Sequence, residues 1–162
     1  MKKSLLAAVA VVAMASVDAG ATVRPYIGTS NLSNPFNNAV IGFDLGTNFR
    51  VEGDFGYNTS KADGDDRSTT TKFGAFGFYD FNEKGQVVTP FVGLGLTYNS
   101  YKYGNSEANS TGLQGQVGIA KEVIKDFVLS AALKVGFASS DNGGSSVDSN
   151  SFGVGLGARY VL

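Results

Sequence analysis

The chain contains no cysteine, no histidine and no tryptophan among its 162 residues. Without cysteine there is no disulfide framework and no thiol nucleophile, and without histidine the usual zinc sites and imidazole-based catalysis are gone. A thiol-free chain suits an oxidising compartment, where it can form no wrong disulfide. Proline is scarce at 3 residues, and charge is sparse and balanced: 13 Lys and Arg stand against 14 Asp and Glu, for a net charge of −1. That balance excludes both a basic nucleic-acid-binding surface and an acidic disordered tail. No nucleic-acid partner, no cofactor and no enzymatic activity is expected. What is plentiful is glycine, 22 residues, nearly twice the usual share of about 7%. Hydrophobic residues make up 43% of a length that suits one domain.

The amino-terminal segment has the grammar of an export signal. Lys2 and Lys3 are followed by an uncharged apolar run from Leu5 to Met14, then by small residues. A membrane-spanning helix needs about 20 apolar residues, whereas Ser16, Asp18 and Gly20 break this run. Ala19-Gly20-Ala21 makes a small-x-small cleavage pattern, so residues 1–21 are expected to be a cleaved secretory signal peptide and residues 22–162 the mature domain. Val17-Asp18-Ala19 allows a cut two residues earlier.

Beyond Thr22 no segment carries a helical stripe, but many alternate apolar and polar residues as a two-faced strand does. At the end of the chain Phe152, Val154, Leu156, Ala158, Tyr160 and Leu162 share one face, opposite Gly153, Gly155, Gly157, Arg159 and Val161. Leu129, Ala131, Leu133, Val135 and Phe137 oppose Val128, Ser130, Ala132, Lys134 and Gly136 in the same way. Upstream, Ile41, Phe43 and Leu45 oppose Gly42, Asp44 and Gly46, while Val51, Phe55 and Tyr57 oppose Arg50, Glu52 and Asp54. Val92, Leu94, Leu96 and Tyr98 oppose Phe91, Gly93, Gly95 and Thr97. The spacing predicts eight strands, over 22–30, 38–47, 49–60, 70–81, 87–100, 110–121, 127–138 and 151–162. The faces of 70–81, with aromatics on both sides, and of 110–121, diluted by Gln114 and Gln116, are left open.

Connections carry a second signal. Short ones are expected near Thr47-Asn48, Asn82 to Gln86 and Glu122 to Asp126; long polar ones at Asn31 to Asn37, Ser60 to Thr69, Tyr101 to Asn109 and Ser139 to Asn150. Regular separation of short turns from long loops is a property of membrane barrels. A soluble lipocalin-like barrel also has two-faced strands, but with a bulky apolar interior; here the face opposite the apolar one reads as Gly, Ser, Gln and charges. The expected fold is all-β, an eight-stranded antiparallel up-and-down transmembrane β-barrel. Its lipid-facing residues would include Ile41, Phe43, Phe55, Leu94, Leu96, Leu133, Val154, Leu156 and Tyr160.

Gly42 to Tyr57 (GFDLGTNFRVEGDFGY), Thr89 to Tyr98 (TPFVGLGLTY) and Gly153 to Leu162 (GVGLGARYVL) resemble segments of a known family. It is the small outer-membrane β-barrels of Gram-negative bacteria, the OmpA/OmpX-like and opacity-protein-like group. The resemblance extends over nearly all the mature chain. Leu162 departs from the terminal aromatic usual there, although Tyr160 keeps part of that pattern. The resemblance implies residence in the cell outer membrane as a monomer, contact with lipid and lipopolysaccharide, and delivery by the outer-membrane assembly machinery. It also implies a structural or surface-interaction, adhesin-like role, with a host or cell-surface ligand at the loops. A narrow channel or lateral gate for small hydrophobic solutes is the alternative. Lipid-modifying enzymes of the family use an active-site histidine, which this chain lacks.

Strand parity places nine charged residues inside: Arg24, Asp44, Arg50, Glu52, Asp54, Lys72, Asp80, Lys134 and Arg159. Near-balance of sign suits a network of paired charges that plugs the lumen, since an unpaired charge in a narrow, low-dielectric interior is costly. A polar path for solutes is the competing reading. The inward glycines are expected to make room for the arginines beside them. In the loops, Asp63, Asp65 and Asp66 offer oxygen ligands suited to Ca²⁺, but their spacing matches no EF-hand, and a solvated loop is the plainer reading. Tyr98, Tyr101 and Tyr103 with Lys102 read as an interfacial aromatic girdle, or else as a sugar- or protein-binding patch. Gly143-Gly144 reads as a hairpin tip.

Overall fold

Strands with one apolar and one polar face can pair every edge and enclose the polar face at once by closing on themselves. The computed structural model describes residues 22–33, 37–61, 67–104, 106–141 and 146–162, and it shows that closure. The strands β1 (Val23–Thr29), β2 (Asn38–Leu45), β3 (Phe49–Ser60), β4 (Ser68–Asp80), β5 (Thr89–Tyr103), β6 (Ser106–Ile124), β7 (Phe127–Asp141) and β8 (Ser146–Val161) follow in order round one closed barrel. Each pairs antiparallel with its neighbour, and β8 seals on β1 from Tyr26 opposite Val161 to Thr29 opposite Ala158. Residues 1–21, Asp63, Asp65, Asp66 and Gly143-Gly144 lie outside the described residues.

The short turns gather at one end. Gly46, with φ 74°, opens the turn between β2 and β3, and Gly85, with φ 89°, lies in the longer one between β4 and β5. Between β6 and β7 the turn is reduced to Lys125-Asp126, after a register shift between Glu122 and Ile124. Asp126 adopts φ 64°, and its amide donates to the Glu122 carboxylate at 2.8 Å.

At the opposite end the expected loops over 101–109 and 139–150 are largely strand. Tyr101, Lys102 and Tyr103 pair with Ala108, Glu107 and Ser106. Ser139, Ser140 and Asp141 pair with Asp148, Val147 and Ser146. Their Ser, Asn and charged residues signal contact with water rather than absence of a ladder, because a hairpin wetted on both faces needs no apolar side.

The interior corrects a second expectation. Phe76, Phe78 and Phe91 form a buried cluster with Ala120 and Ala132, while Tyr26, Val40 and Val161 form another. At Gly42, Gly74, Gly93 and Gly95 aromatic bulk, not arginine, occupies the space that the glycine leaves. A Cβ on Gly42 would overlap the Tyr26 phenol, and one on Gly93 would overlap the Phe78 ring. Register decides the two strands left open: Phe76, Phe78, Gln114 and Gln116 share the inward parity, and Phe73, Tyr79, Leu113 and Val117 the outward one.

Candidate functional site in the barrel lumen

Arg50 is the hub of the interior. It lies on β3 opposite Asp44 of β2 and Phe78 of β4, and its side chain is 5% exposed. Its guanidinium donates to Glu52 and, in a fork, to Asp80, with Nε at 3.3 Å from Oδ2 and Nη2 at 3.2 Å from Oδ1. The same group stacks over the Phe78 ring at 4.0 Å from its centroid and over Phe91 at 5.1 Å. Planar, permanently charged guanidinium is the side chain suited to both bonds at once.

Neighbouring groups complete this layer. Arg159 Nη2 lies 3.9 Å from Asp80 Oδ2, and its guanidinium carbon is 5.2 Å from the Tyr26 centroid. The Tyr26 hydroxyl donates to Glu52 Oε1 at 2.9 Å. Nearer the short-turn end, Arg24 Nη2 bonds Asp44 Oδ2 at 3.3 Å, with Arg24 largely exposed. Tyr26, Phe78 and Phe91 were not singled out from the sequence. Parity puts Tyr26 and Phe91 on the inward face but leaves Phe78 open, and the signal that could have found them is an aromatic laterally opposite glycine: Tyr26 across from Gly42, Phe78 across from Gly93 and Phe91 across from Gly118.

The structure divides the nine inward charges into two sets. Arg24, Asp44, Arg50, Glu52, Asp80 and Arg159 make the ion pairs just described. Asp54, Lys72 and Lys134 stand apart, toward the hairpin end, where Asp54 accepts a hydrogen bond from Ser30 Oγ at 2.7 Å. Neither lysine has an ion pair within 4.0 Å among the described residues.

Space inside follows the same division. A vestibule of about 370 Å³ opens at the hairpin end and a wider mouth of about 1060 Å³ at the short-turn end. Between them, where Arg50, Glu52, Phe78, Phe91 and Arg159 meet, the free space falls to about 50 Å³. The lumen is an hourglass with an ion-paired waist.

Outside, Ile41, Phe43, Phe55, Leu94, Leu133, Val154, Leu156 and Tyr160 point away from the barrel, with exposures from 43% at Phe43 to 71% at Val154. Leu96 shares their parity and is half-buried between Ala75 and Leu113. Phe49, Tyr79 and Phe81 make edge-to-face contacts at the short-turn end, with centroids 5.1 and 5.0 Å apart. The expected girdle of Tyr98, Tyr101 and Tyr103 is not one face: Tyr98 has outward parity with Lys102, whereas Tyr101 and Tyr103 have the other parity, because β5 runs unbroken through them.

No family model and no curated protein sequence matches the chain. Among solved structures, Neisserial surface protein A (NspA) is similar with a TM-score of 0.61 at 20% identity, over 88% of this chain and 99% of that one. A major outer membrane protein from Thermus thermophilus is more loosely similar, with a TM-score of 0.44 at 14% identity, over 88% of this chain and all of that one. The fold is that of the small eight-stranded outer-membrane β-barrels.

Proposed function

We propose that this chain is an integral outer-membrane protein, exported with loss of residues 1–21, whose barrel is a rigid scaffold for a surface-interaction role at the hairpin end. The observation that carries the reading is the outward apolar band: Ile41, Leu94, Leu133, Val154 and Leu156 lie on different strands or at different heights and are all exposed. A soluble monomer rarely leaves so continuous an apolar surface in water, whereas hydrocarbon is its natural solvent. The waist at Arg50 supports a scaffold rather than a conduit, since solutes would have to part a buried ion-paired layer. Long polar hairpins at one end supply the surface for a cell-surface or host ligand.

Leu156→Arg tests the band. Leu156 is half-exposed on the outer face of β8, laterally opposite Ala131, so arginine there should cost about 2–4 kcal/mol in a bilayer. Ser146→Arg, at the exposed start of β8, should cost almost nothing. Urea unfolding in lipid vesicles reads both, and equal stability of Leu156→Arg and the parent refutes the membrane assignment. Single-channel recording of the refolded protein should show no steady conductance; a stable open level would favour the channel instead.

A further inference from the structure

The vestibule above the waist is built differently from the rest of the lumen. It combines the cations Lys72 and Lys134 with the carboxylate of Asp54, and its polar wall includes Asn38, Asn99 and Gln114. Everywhere else inside, cations are matched by carboxylates within ion-pairing distance. Here the carboxylate already accepts from Ser30, and both ammonium groups lack such a partner among the described residues.

The stem of Lys134 is held in place: Gly155 leaves the gap it occupies, for a Cβ there would lie 2.5 Å from Lys134 Cε and 3.0 Å from Nζ. Phe76, buried at 3% exposure, is part of the lining, so the polar chamber meets the aromatic cluster there. Its volume of about 370 Å³ falls in the range of small-molecule sites, roughly 300–1,000 Å³.

We propose that this vestibule is a binding site for a small hydroxylated anion of monosaccharide size, a sugar carrying a phosphate or carboxylate. Lys72 and Lys134 take the anionic group, where charge-assisted hydrogen bonds are strong. The amide side chains of Asn38, Asn99 and Gln114 can each donate and accept, which is the complement of sugar hydroxyls. Asp54 sets a limit on affinity, because its charge opposes the ligand's. The site depends on the barrel interior and not on which membrane holds it, so its failure is distinct from failure of the outer-membrane reading.

Calorimetry of the folded protein in detergent micelles, with glucose 6-phosphate as the probe, tests the site against glucose and inorganic phosphate. Glucose 6-phosphate should bind more tightly than either part alone. Lys72→Met and Lys134→Met should each weaken it about tenfold, while Lys102→Met, on the hairpin outside the vestibule, should not change it. Asp54→Asn should strengthen binding, a gain that damaged folding cannot produce. No detectable binding, equal binding of glucose, inorganic phosphate matching glucose 6-phosphate, or weaker binding by Asp54→Asn would each overturn the proposal. An independent measurement uses the absence of native cysteine: at Gln114→Cys a sulfonate-bearing thiol reagent should react faster than a trimethylammonium one. That preference should disappear in the Lys72→Met, Lys134→Met background, and its persistence there would refute the role of the lysines.

Discussion

Replacing Arg50 by methionine isolates the value of the ion-paired waist. Methionine keeps much of the stem volume against Phe78 and Phe91 but removes the donors to Glu52 and Asp80. Asp80 then retains Arg159 at 3.9 Å, too long for a strong bond, and Glu52 retains the Tyr26 hydroxyl at 2.9 Å. Removing one member of a buried pair costs about 3–5 kcal/mol, mainly because the partner charge stays behind unpaired. Lost stacking on two rings adds roughly 0.5–2 kcal/mol, so the total should fall at roughly 3.5–7 kcal/mol if the terms add. The same logic predicts recovery: Arg50→Met combined with Glu52→Gln should regain much of the loss, since Asp80 then faces Arg159 and no second carboxylate is stranded. Urea unfolding in vesicles, with reversibility verified for each variant, gives the differences. A loss below about 1 kcal/mol for Arg50→Met, or a double variant no better than the single one, would refute a desolvated, charge-paired waist.

Gly42→Ala should destabilise the barrel by about 1–3 kcal/mol or more through overlap with the Tyr26 ring. Gly153→Ala, with nothing within 4 Å of the added carbon, should be nearly neutral in the same unfolding assay. At the hairpin tip, the Lys102 ammonium lies 3.3 Å from Glu107, and its hydrogen bond and charge hold the Glu107 carboxyl below the ordinary glutamate range. A depressed carboxylate contributes stability that is present above the ordinary range and lost as pH falls through its lowered value. Carbon-detected NMR titration should therefore show Glu107 titrating low in the parent and returning toward its usual range in Lys102→Met.

The strands were legible because alternation has a physical cause, two unlike solvents on the two faces, and β7 and β8 carry it with few exceptions. The upper halves of β5 to β8 were not. Above the apolar band both faces of a hairpin meet water, so Tyr101 to Asn109 and Ser139 to Asn150 lose the contrast that marks a strand and read as loops. Their pairing comes from continuing a ladder already registered below, a cooperative effect no local window contains.

Inward parity puts all nine charges on one face but cannot sort them into partners, since partnership depends on height along the axis, set by the stagger of the strands round the barrel. Arg50 and Asp80 lie 30 residues apart, and nothing local links them. Stagger brings them level with Phe78, Phe91 and Arg159, while leaving Lys72 and Lys134 nearer the hairpins beside a carboxylate engaged by Ser30. The overall balance of sign therefore concealed a local imbalance. A balanced inventory predicts one neutral plug; the observed heights produce a neutral waist beneath a chamber with more cation than anion. The first resists unfolding, and the second is where a ligand's negative charge would find the lumen incompletely neutralised.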